Sequence, residues 1–266
     1  MKIIKNKVKL QKEISNVKNL SFIPTMGGFH KGHVSLIKKS KRIYGKSLVS
    51  IFVNPKQFNE KKDYNNYPRN LKKDLFILKK LKVDIVYLPN KKEIFSFKVK
   101  NKVFLHNFSK KLCGISRKGH FEGVLNVVNR FLEIINPKYL LLGEKDFQQM
   151  FLIKNHIKKR KIKTKVISCK LIRETNGVAA STRNKNLSKK QMKIASNVYN
   201  FLKIKKKSHD ILSKNFQKKL LRIGISKIDY LELLNLKSLK KIKSTNEKYK
   251  IFIAYYLGNV RLIDNI

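Results

Sequence analysis

The sequence predicts an α/β fold, in which a doubly wound parallel sheet is followed by a smaller C-terminal α+β domain. Through the first two thirds of the chain, short β-rich runs alternate with longer stretches of helical periodicity. The β-rich runs are continuously apolar, as strands are in a parallel sheet covered on both faces. After Asn184 the order changes to two helical stretches followed by two β-like runs. These observations together give the predicted architecture.

The predicted elements can be placed along the chain. The strands of the sheet are expected at Leu20–Pro24, Leu48–Val53, Val83–Leu88, Tyr139–Leu142 and Val166–Ile172, with helices at about 33–43, 70–81, 122–135 and 147–159. Later helices are expected at about 188–203 and 209–223, and later strands at Ile228–Leu234 and Lys250–Leu257. We therefore predict a Rossmann-like domain over residues 1–172 and a lid domain over 173–266. The turn-forming residues 173–177 are expected to be the hinge.

The charge of the chain is strongly basic, with 63 Lys and Arg residues against 16 Asp and Glu and a net charge of +47. Taken alone, this favours a polyanionic partner such as nucleic acid. The lysines, however, are spread along nearly the whole chain beside abundant Asn and Ile, which share A- and T-rich codons. Nucleic-acid footprints cluster on one face or in one tail. We therefore expect no nucleic-acid partner, and we expect the few acidic residues to be disproportionately functional or structural.

The cellular compartment is indicated by what the sequence lacks. The N-terminus has no apolar stretch of the signal-peptide kind, and no apolar run reaches membrane-spanning length. Cys113 and Cys169 stand far apart without metal-binding or redox spacing. A cytoplasmic protein without a membrane partner is expected.

The segment Pro24–His33, PTMGGFHKGH, is the most informative part of the sequence. It leaves a predicted strand, turns through Gly27 and Gly28, and enters a helix whose free N–H groups can bind phosphate. His30 and His33 are three residues apart, so they can share one side of the first helical turn and donate to phosphate oxygens. An ordinary glycine turn with two surface histidines is the alternative. The coincidence of strand, glycine pair, histidine spacing and helix favours phosphate binding.

The same segment resembles the pantothenate synthetases, a family of the class I aminoacyl-tRNA synthetase-like nucleotidyltransferases. The resemblance continues in order along nearly the whole chain. Its further segments are VSIFVNPKQF (49–58), DY (63–64), YPRNLKKD (67–74), LCGISRKGHFEGV (112–124), GEKDFQQ (143–149), ASTRN (180–184) and LGNVRLIDNI (257–266). The chain departs from the family at Phe29 and Thr182, where Leu and Ser are usual, at Lys118, where Pro is usual, and at Ala180, where a larger apolar residue is usual.

The resemblance implies an activity and a set of substrates. The family condenses pantoate with β-alanine, consumes ATP through an enzyme-bound pantoyl adenylate, and releases AMP and pyrophosphate. It implies magnesium bound as the ATP complex, without assigned protein ligands, and a homodimer. The enzymatic alternative is a nucleotidyltransferase that acts on another acceptor. The non-enzymatic alternative is a basic RNA-binding protein built on a degenerate synthetase-like fold. Intact His30, His33, Lys145 and Arg183 argue against degeneration.

The resemblance also implies which residues form the site. His33 is the catalytic residue, Gln57 and Gln149 bind pantoate, and β-alanine passes close to Gln57. The ATP-binding residues are Met26, Gly27, Gly28, Phe29, His30, Lys31, Gly32, His33, Gly143, Glu144, Lys145, Asp146, Ile172, Ala180, Ser181, Thr182 and Arg183. Ile172 is expected to act through its backbone.

The residue types are consistent with these roles, although each allows a simpler interpretation. A glutamine amide can bind a hydroxyl and a carboxylate, but Gln57 and Gln149 are equally typical of exposed polar positions. The segment 143–146 suits ribose and phosphate contacts, or else forms a charged surface turn. The segment 181–183 offers two hydroxyls and a guanidinium, which suit a phosphate.

Four further residues are candidates with open roles. Asn54 and His120 lie in matched segments without an assigned contact. Arg117 is expected either to face phosphate or to organise the subunit contact. Asp74 either holds magnesium through water or is simply a helix-surface acid.

Overall fold

A computed structural model describes residues 1–43, 45–206, 208 and 215–266. They form two compact units, Met1–Lys170 and Leu171–Ile266. The boundary lies before the predicted hinge, and Ile172 belongs to the second unit. Residues 173–177 instead form a hairpin turn inside that unit, where the Glu174 N–H donates to the Val178 carbonyl at 2.8 Å.

The first unit alternates strands and helices. Its elements are β1 (Lys2–Ile4), α1 (Lys7–Ile14), β2 (Ser21–Thr25), α2 (Lys31–Lys41), β3 (Ser47–Ile51), α3 (Lys61–Asn65), α4 (Leu71–Lys80), β4 (Ile85–Tyr87), α5 (Lys91–Phe95), α6 (Cys113–Ser116), α7 (His120–Ile135), β5 (Tyr139–Gly143), α8 (Phe147–Lys159) and β6 (Lys165–Cys169). Short 3-10 helices cover Pro55–Gln57, Asn107–Lys110 and Glu144–Asp146.

The six strands form one sheet in the order β1-β4-β3-β2-β5-β6, and every neighbouring pair is parallel. The predicted doubly wound α/β fold is confirmed. Side chains alternate between the two faces of the sheet. Ile23 packs with Leu36 and Leu78 of α2 and α4 on one face. Phe22 stacks on Phe131 of α7 on the other, with ring centroids 5.4 Å apart.

The second unit is a smaller α+β assembly, as predicted. Its elements are a 3-10 helix (Thr182–Asn186), α9 (Lys189–Lys205), α10 (Phe216–Arg222), β7 (Lys227–Asn235), β8 (Tyr249–Leu257) and β9 (Val260–Asn265). The three strands form an antiparallel sheet in the order β7-β8-β9. A core that includes Val198, Phe216 and Ile253 joins helices to sheet. The helix predicted at 209–223 is seen as α10, while residues 209–214 lie outside the described residues.

Several elements are not anticipated by the sequence patterns. β1 is three residues long and largely exposed, so its apolar run is too short to stand out. β9 lies at the edge of its sheet and buries only two of its six residues, and its charged Arg261 and Asp264 interrupt the apolar run. The short helices α3, α5 and α6 each have too few residues for a periodic signal.

His156 on α8 is held in a buried polar network. Its Nδ1 accepts from the Phe104 N–H at 3.1 Å, so Nε2 carries the proton and donates to Asn129 Oδ1 at 3.0 Å. The ring is fully buried. Burial, together with nearby Arg160, lowers the pKa of His156 from 6.5 to about 4, and Glu133 opposes the shift. The histidine is therefore neutral in the folded protein.

This network predicts a pH-dependent stability. Between about pH 6.5 and pH 4 the unfolded chain binds a proton at His156 that the folded protein excludes, so stability is present above this window and falls as pH decreases through it. His156→Gln should lower the free energy of unfolding near pH 7 by about 1–3 kcal/mol, because one buried partner is left unpaired. It should also make stability fall less steeply on acidification.

Urea unfolding of parent and variant near pH 7 and near pH 5 measures both effects. His33 shifts in the same direction, so the variant should retain part of the slope. A variant that loses stability on acidification as steeply as the parent contradicts the assignment.

Candidate active site

The carboxyl ends of β2 and β5 diverge. β2 pairs with β3 along its whole length, from Ser21 to Thr25, but pairs with β5 only through Ser21 and Phe22. The strand order also reverses here, because the chain adds β3 on one side of β2 and β5 on the other. Crevices at such a switch point are where doubly wound sheets bind ligands. The predicted segments 24–33 and 143–146 follow these two strands.

The turn after β2 depends on two left-handed glycines and one carboxylate. Gly27 and Gly28 have φ of +78° and +65°. Asp74 on α4 accepts from the Gly28 N–H at 2.9 Å and from the Phe29 N–H at 3.1 Å. A Cβ on Gly27 would stand 2.7 Å from Asp74 Oδ2. The turn therefore requires glycine at position 27 and an acceptor at position 74.

Asp74 is thus a buried acid and not a helix-surface acid. Its side chain is buried, at 3% exposure, and both carboxylate oxygens accept peptide N–H groups. Phe29 is also buried, and its ring packs in the core with Ile37 and Val49. The aromatic ring that replaces the usual leucine serves this packing.

His30 and His33 lie side by side at the start of α2, with ring centroids 4.1 Å apart. His30 caps the helix, and its Nδ1 accepts from the Gly32 N–H at 3.1 Å. The lone pair of His30 Nδ1 is therefore used within the helix cap. His33 Nδ1 is buried and has no hydrogen-bond partner among the described residues.

His33 is neutral near pH 7. Burial lowers its pKa from 6.5 to about 4, and nearby Lys145 lowers it further, while Asp146 opposes the shift. Lys145 and Asp146, in the segment after β5, therefore lie close enough to His33 to act on it electrostatically.

The segment after β5 forms a 3-10 helix at Glu144–Asp146. Lys145 Nζ lies 3.7 Å from Asp146 Oδ1, and its side chain is 18% exposed, so the cation is held near the crevice. A Cβ built on Gly143 would meet no atom within 4 Å, which shows open space beside the strand end. The structure therefore brings the predicted segments 27–33 and 143–146 to one edge of the sheet.

Gln57 ends the 3-10 helix that follows β3. Its Nε2 donates to Met26 Sδ at 2.8 Å, which places the amide beside the glycine turn. Asn54 donates to Gln57 Oε1 at 3.3 Å, and His120 and Arg117 contact the Gln57 carbonyl at 2.7 and 3.2 Å. Asn54, Arg117 and His120, three of the four candidates with open roles, thus all contact Gln57.

Gln149 and its neighbour Gln148 have different environments. Gln148 is buried and fully used, since it donates to the carbonyls of Phe108 and Lys111 at 2.7 and 2.6 Å and accepts from the Cys113 N–H at 3.2 Å. Gln149 is half-buried in the first turn of α8, and its amide has no hydrogen bond within the described part of the chain. Gln149 is therefore the one able to meet a ligand.

Two contributing residues are not found from the sequence. Gln148 organises the segment before α7, and Gly123 lets α7 approach the 3-10 helix at 55–57. A Cβ on Gly123 would lie 2.9 Å from the Gln57 nitrogen and would overlap the Lys56 carbonyl oxygen. A glycine inside a strongly helical pattern is the available signal for such a close approach.

The predicted nucleotide residues of the second unit form their own compact segment. Ser181 caps the 3-10 helix through a bond from the Arg183 N–H at 3.3 Å. Ala180 is buried, and its N–H donates to the Ile172 carbonyl at 2.9 Å. Thr182 is also buried, whereas Ser181 and Arg183 are partly exposed. Ile172 and Ala180–Arg183 are thus neighbours within the second unit.

The described residues offer neither a metal-binding cluster nor a membrane-spanning helix. They contain no group of three or more His, Cys, Asp or Glu side chains placed to hold a metal ion. Among these residues, no helix is both long enough and apolar enough to cross a membrane.

Fold and site together define an α/β protein whose ligand crevice lies at the switch point of a doubly wound sheet. The model of the pantoate-β-alanine ligase family matches residues 2–266. The chain is 39% identical over 266 residues to a pantothenate synthetase of Francisella tularensis subsp. novicida, covering 98% of this chain and 94% of that protein. It is 37% identical over 254 residues to one from Clostridium botulinum, covering 93% and 90%.

Solved structures give the same result. A pantoate-β-alanine ligase from Francisella tularensis, complexed with β-γ ATP and β-alanine, superposes with a TM-score of 0.85 at 38% identity, over 100% of this chain and 97% of that one. A pantothenate synthetase from Thermus thermophilus gives a TM-score of 0.90 at 27% identity, over 100% and 99%. This chain belongs to the pantoate-β-alanine ligase family.

The Asp74 contacts generate a prediction about the glycine turn. Asp74→Asn keeps the shape of the side chain but offers one acceptor oxygen, so its amide group opposes one of the two peptide N–H groups. A lost hydrogen bond to a charged group corresponds to about 1.5–3 kcal/mol. We expect the free energy of unfolding to fall by that order and the backbone amides of residues 26–30 to exchange faster with deuterium.

Glu60→Gln is the matched control, because it removes the same charge from an exposed side chain. It should leave exchange in residues 26–30 unchanged. Equal exchange in parent and Asp74→Asn would show that the carboxylate does not hold the turn.

Proposed function

We propose that this protein condenses pantoate with β-alanine, using ATP and releasing AMP and pyrophosphate. Family membership along the whole chain carries the proposal, and the crevice at the switch point supports it. The crevice brings together a glycine turn that leads into a helix N-terminus, a lysine and an amide-bearing side chain. The relative from Francisella tularensis was crystallised in complex with β-γ ATP and β-alanine.

In the first half-reaction, a carboxylate oxygen of pantoate attacks the α-phosphorus of ATP. The bond from that phosphorus to the bridging oxygen of the β-phosphate breaks, and pyrophosphate leaves. The N-terminus of α2 supplies peptide N–H groups for the phosphates, whereas the N–H groups of Gly27 and Gly28 already donate to Thr25 and Asp74. Lys145 supplies positive charge, and His30 donates to phosphate oxygens. Alignment of the two anions is the main contribution of these groups.

His33 acts in this step as a neutral imidazole that becomes more basic when the nucleotide arrives. A triphosphate beside the ring opposes the effect of burial and raises the pKa of His33 from about 4. The ring can then hold a proton against the phosphates as pyrophosphate leaves. His33 is in this way the catalytic residue, and its charge depends on the substrate.

We also assign Ile172, Ala180 and Ser181–Arg183 of the second unit to nucleotide binding. Ile172 acts through its backbone. Arg183 and the Ser181 hydroxyl bind phosphate oxygens, and Thr182 supports them from a buried position.

In the second half-reaction, the amine of β-alanine attacks the carbonyl carbon of pantoyl adenylate. The acyl–oxygen bond breaks, AMP leaves, and the amide of pantothenate forms. No covalent enzyme intermediate is required. Cys113 and Cys169 are both buried, and burial raises the pKa of the Cys169 thiol, which makes it a poor nucleophile.

The remaining assignments follow the family. Magnesium enters as part of the ATP substrate, so it requires no resident cluster of protein ligands. The enzyme acts as a homodimer in the cytoplasm, without nucleic-acid or membrane partners. Its positive charge reflects codon composition rather than a polyanionic ligand.

The two-step scheme predicts isotope exchange. With ATP and pantoate but without β-alanine, labelled pyrophosphate should enter ATP, because adenylate formation is complete and reversible before the amine binds. The measurement is radioactivity in ATP with and without pantoate. Exchange that strictly requires β-alanine would contradict a free-standing adenylate step, and absence of both exchange and pantothenate synthesis would contradict the proposed function.

The neighbouring glutamines of α8 predict two different phenotypes. Gln149→Ala should weaken pantoate binding roughly ten- to hundredfold while sparing ATP, because it removes a hydrogen bond to a charged ligand. Gln148→Ala should instead lower the free energy of unfolding, because the carbonyls of Phe108 and Lys111 and the Cys113 N–H each lose a hydrogen bond. Calorimetric titration with each substrate and urea unfolding separate the two. Unchanged pantoate affinity in Gln149→Ala would show that Gln149 does not bind pantoate.

A further inference from the structure

We infer that Arg117 and His120 are positioning residues that fix Gln57 so that its amide presents N–H donors to pantoate. The inference deepens the proposed function and rests on it. It concerns how the protein selects an acid bearing carboxylate and hydroxyl oxygens, and it depends on hydrogen bonds inside the first unit.

The backbone of Gln57 is held by a chain of directed hydrogen bonds. Arg117 has only donors, so its bond to His120 Nε2 at 3.0 Å makes that nitrogen an acceptor. The proton of the neutral ring then lies on Nδ1, which donates to the Gln57 carbonyl at 2.7 Å. A second Arg117 nitrogen donates to the same carbonyl at 3.2 Å. Two donors thus fix the peptide plane from which the Gln57 side chain projects.

The side chain of Gln57 is oriented by Asn54. The Asn54 oxygen is identified because it accepts from the Lys56 N–H at 3.1 Å, and its nitrogen because it donates to the Gly123 carbonyl at 3.1 Å. The same nitrogen faces the Gln57 amide at 3.3 Å, so the atom that it meets must be the oxygen. Asn54 is 1% exposed and has no freedom to reverse. Gln57 Nε2 therefore points away from Asn54.

The direction of Nε2 defines the kind of atom that this position binds. In the present structure Nε2 lies 2.8 Å from Met26 Sδ, and a thioether is a weak acceptor. An incoming carboxylate or hydroxyl oxygen is a stronger acceptor and would replace it. Because Oε1 is occupied by Asn54, Gln57 selects for acceptor atoms on the ligand. A carboxylate fits, and a ligand that presents only a donor or an apolar group does not.

Arg117 ends α6, and His120 begins α7, the helix that packs against the 3-10 helix of Gln57. His120 is the first residue of α7 and is buried, at 7% exposure. The left-handed Gly119, with φ of +75°, sets the path by which the chain enters that helix. The exposed Lys118 that replaces the family's proline uses its carbonyl, which accepts from Asn59, so the replacement loses no hydrogen bond. A site built on such a support is held close to its productive geometry.

The test compares two replacements of one histidine. His120→Asn places an amide nitrogen near the former Nδ1 and can still donate to the Gln57 carbonyl. His120→Gln places its nitrogen near the former Nε2 and cannot. We expect His120→Gln to raise the KM for pantoate roughly three- to tenfold, the effect of one lost hydrogen bond, and to leave the KM for ATP unchanged. His120→Asn should restore most of the pantoate KM.

A second variant tests the orientation of the amide without changing its support. Asn54→Asp replaces a hydrogen-bond donor with acceptors, so the Gln57 amide should reverse and turn its oxygen toward the pantoate site. The KM for pantoate should rise at least tenfold near pH 8. It should recover on acidification, because the buried new carboxyl regains a donor when protonated. The parent protein should show no such recovery.

The outcomes separate this inference from the proposed function. Failure of the parent to form pantothenate would overturn the function itself. An active parent with the same pantoate KM in His120→Asn and His120→Gln, or an Asn54→Asp variant without pH-dependent recovery, would overturn the positioning role. Urea unfolding of each variant checks that it folds, and Arg117→Lys, which keeps the charge but reduces the donors, replaces any variant that does not.

Discussion

The carboxylate of Asp74 holds the turn on which the site depends. Two left-handed glycines leave the peptide N–H groups of Gly28 and Phe29 pointing into the protein, where water cannot satisfy them. Asp74 accepts both, at 2.9 and 3.1 Å. The same turn sets where α2 begins, and therefore where His30 and His33 stand. One buried acid thus connects α4 to the turn at the carboxyl end of β2.

Other acids of this basic chain have comparable structural roles. Asp84 accepts from the Ser47 N–H and Oγ at 2.9 and 2.6 Å, and Glu133 accepts from the N–H groups of Lys100 and Asn101 at 3.0 and 2.9 Å. With 63 basic and only 16 acidic residues, many lysines can have no ionic partner. These carboxylates instead fix backbone groups that lack a partner within a helix or strand.

Positive charge at the crevice comes from groups other than His33. Lys145 and the N-terminus of α2 supply it, whereas burial lowers the pKa of His33 to about 4 and outweighs the effect of Asp146. In the proposed function, the His33 ring takes up a proton when the polyanionic nucleotide binds.

The sequence by itself determined the parallel sheet, because continuous apolar runs separated by helical periods allow few other folds. It also identified the segment 24–33 as a candidate ligand-binding segment, since glycines and histidines at that spacing suit a turn that enters a helix. Tertiary structure decided the rest. Gln148 and Gln149 are identical in type, and only packing shows that one is consumed by buried carbonyls. Arg117 and His120 are far from Gln57 in the chain, and Asn54, although near it, carries no local signal of its contact. Which atom donates and which accepts is decided only when folding brings these residues together. A sequence pattern therefore does not reveal these hydrogen bonds.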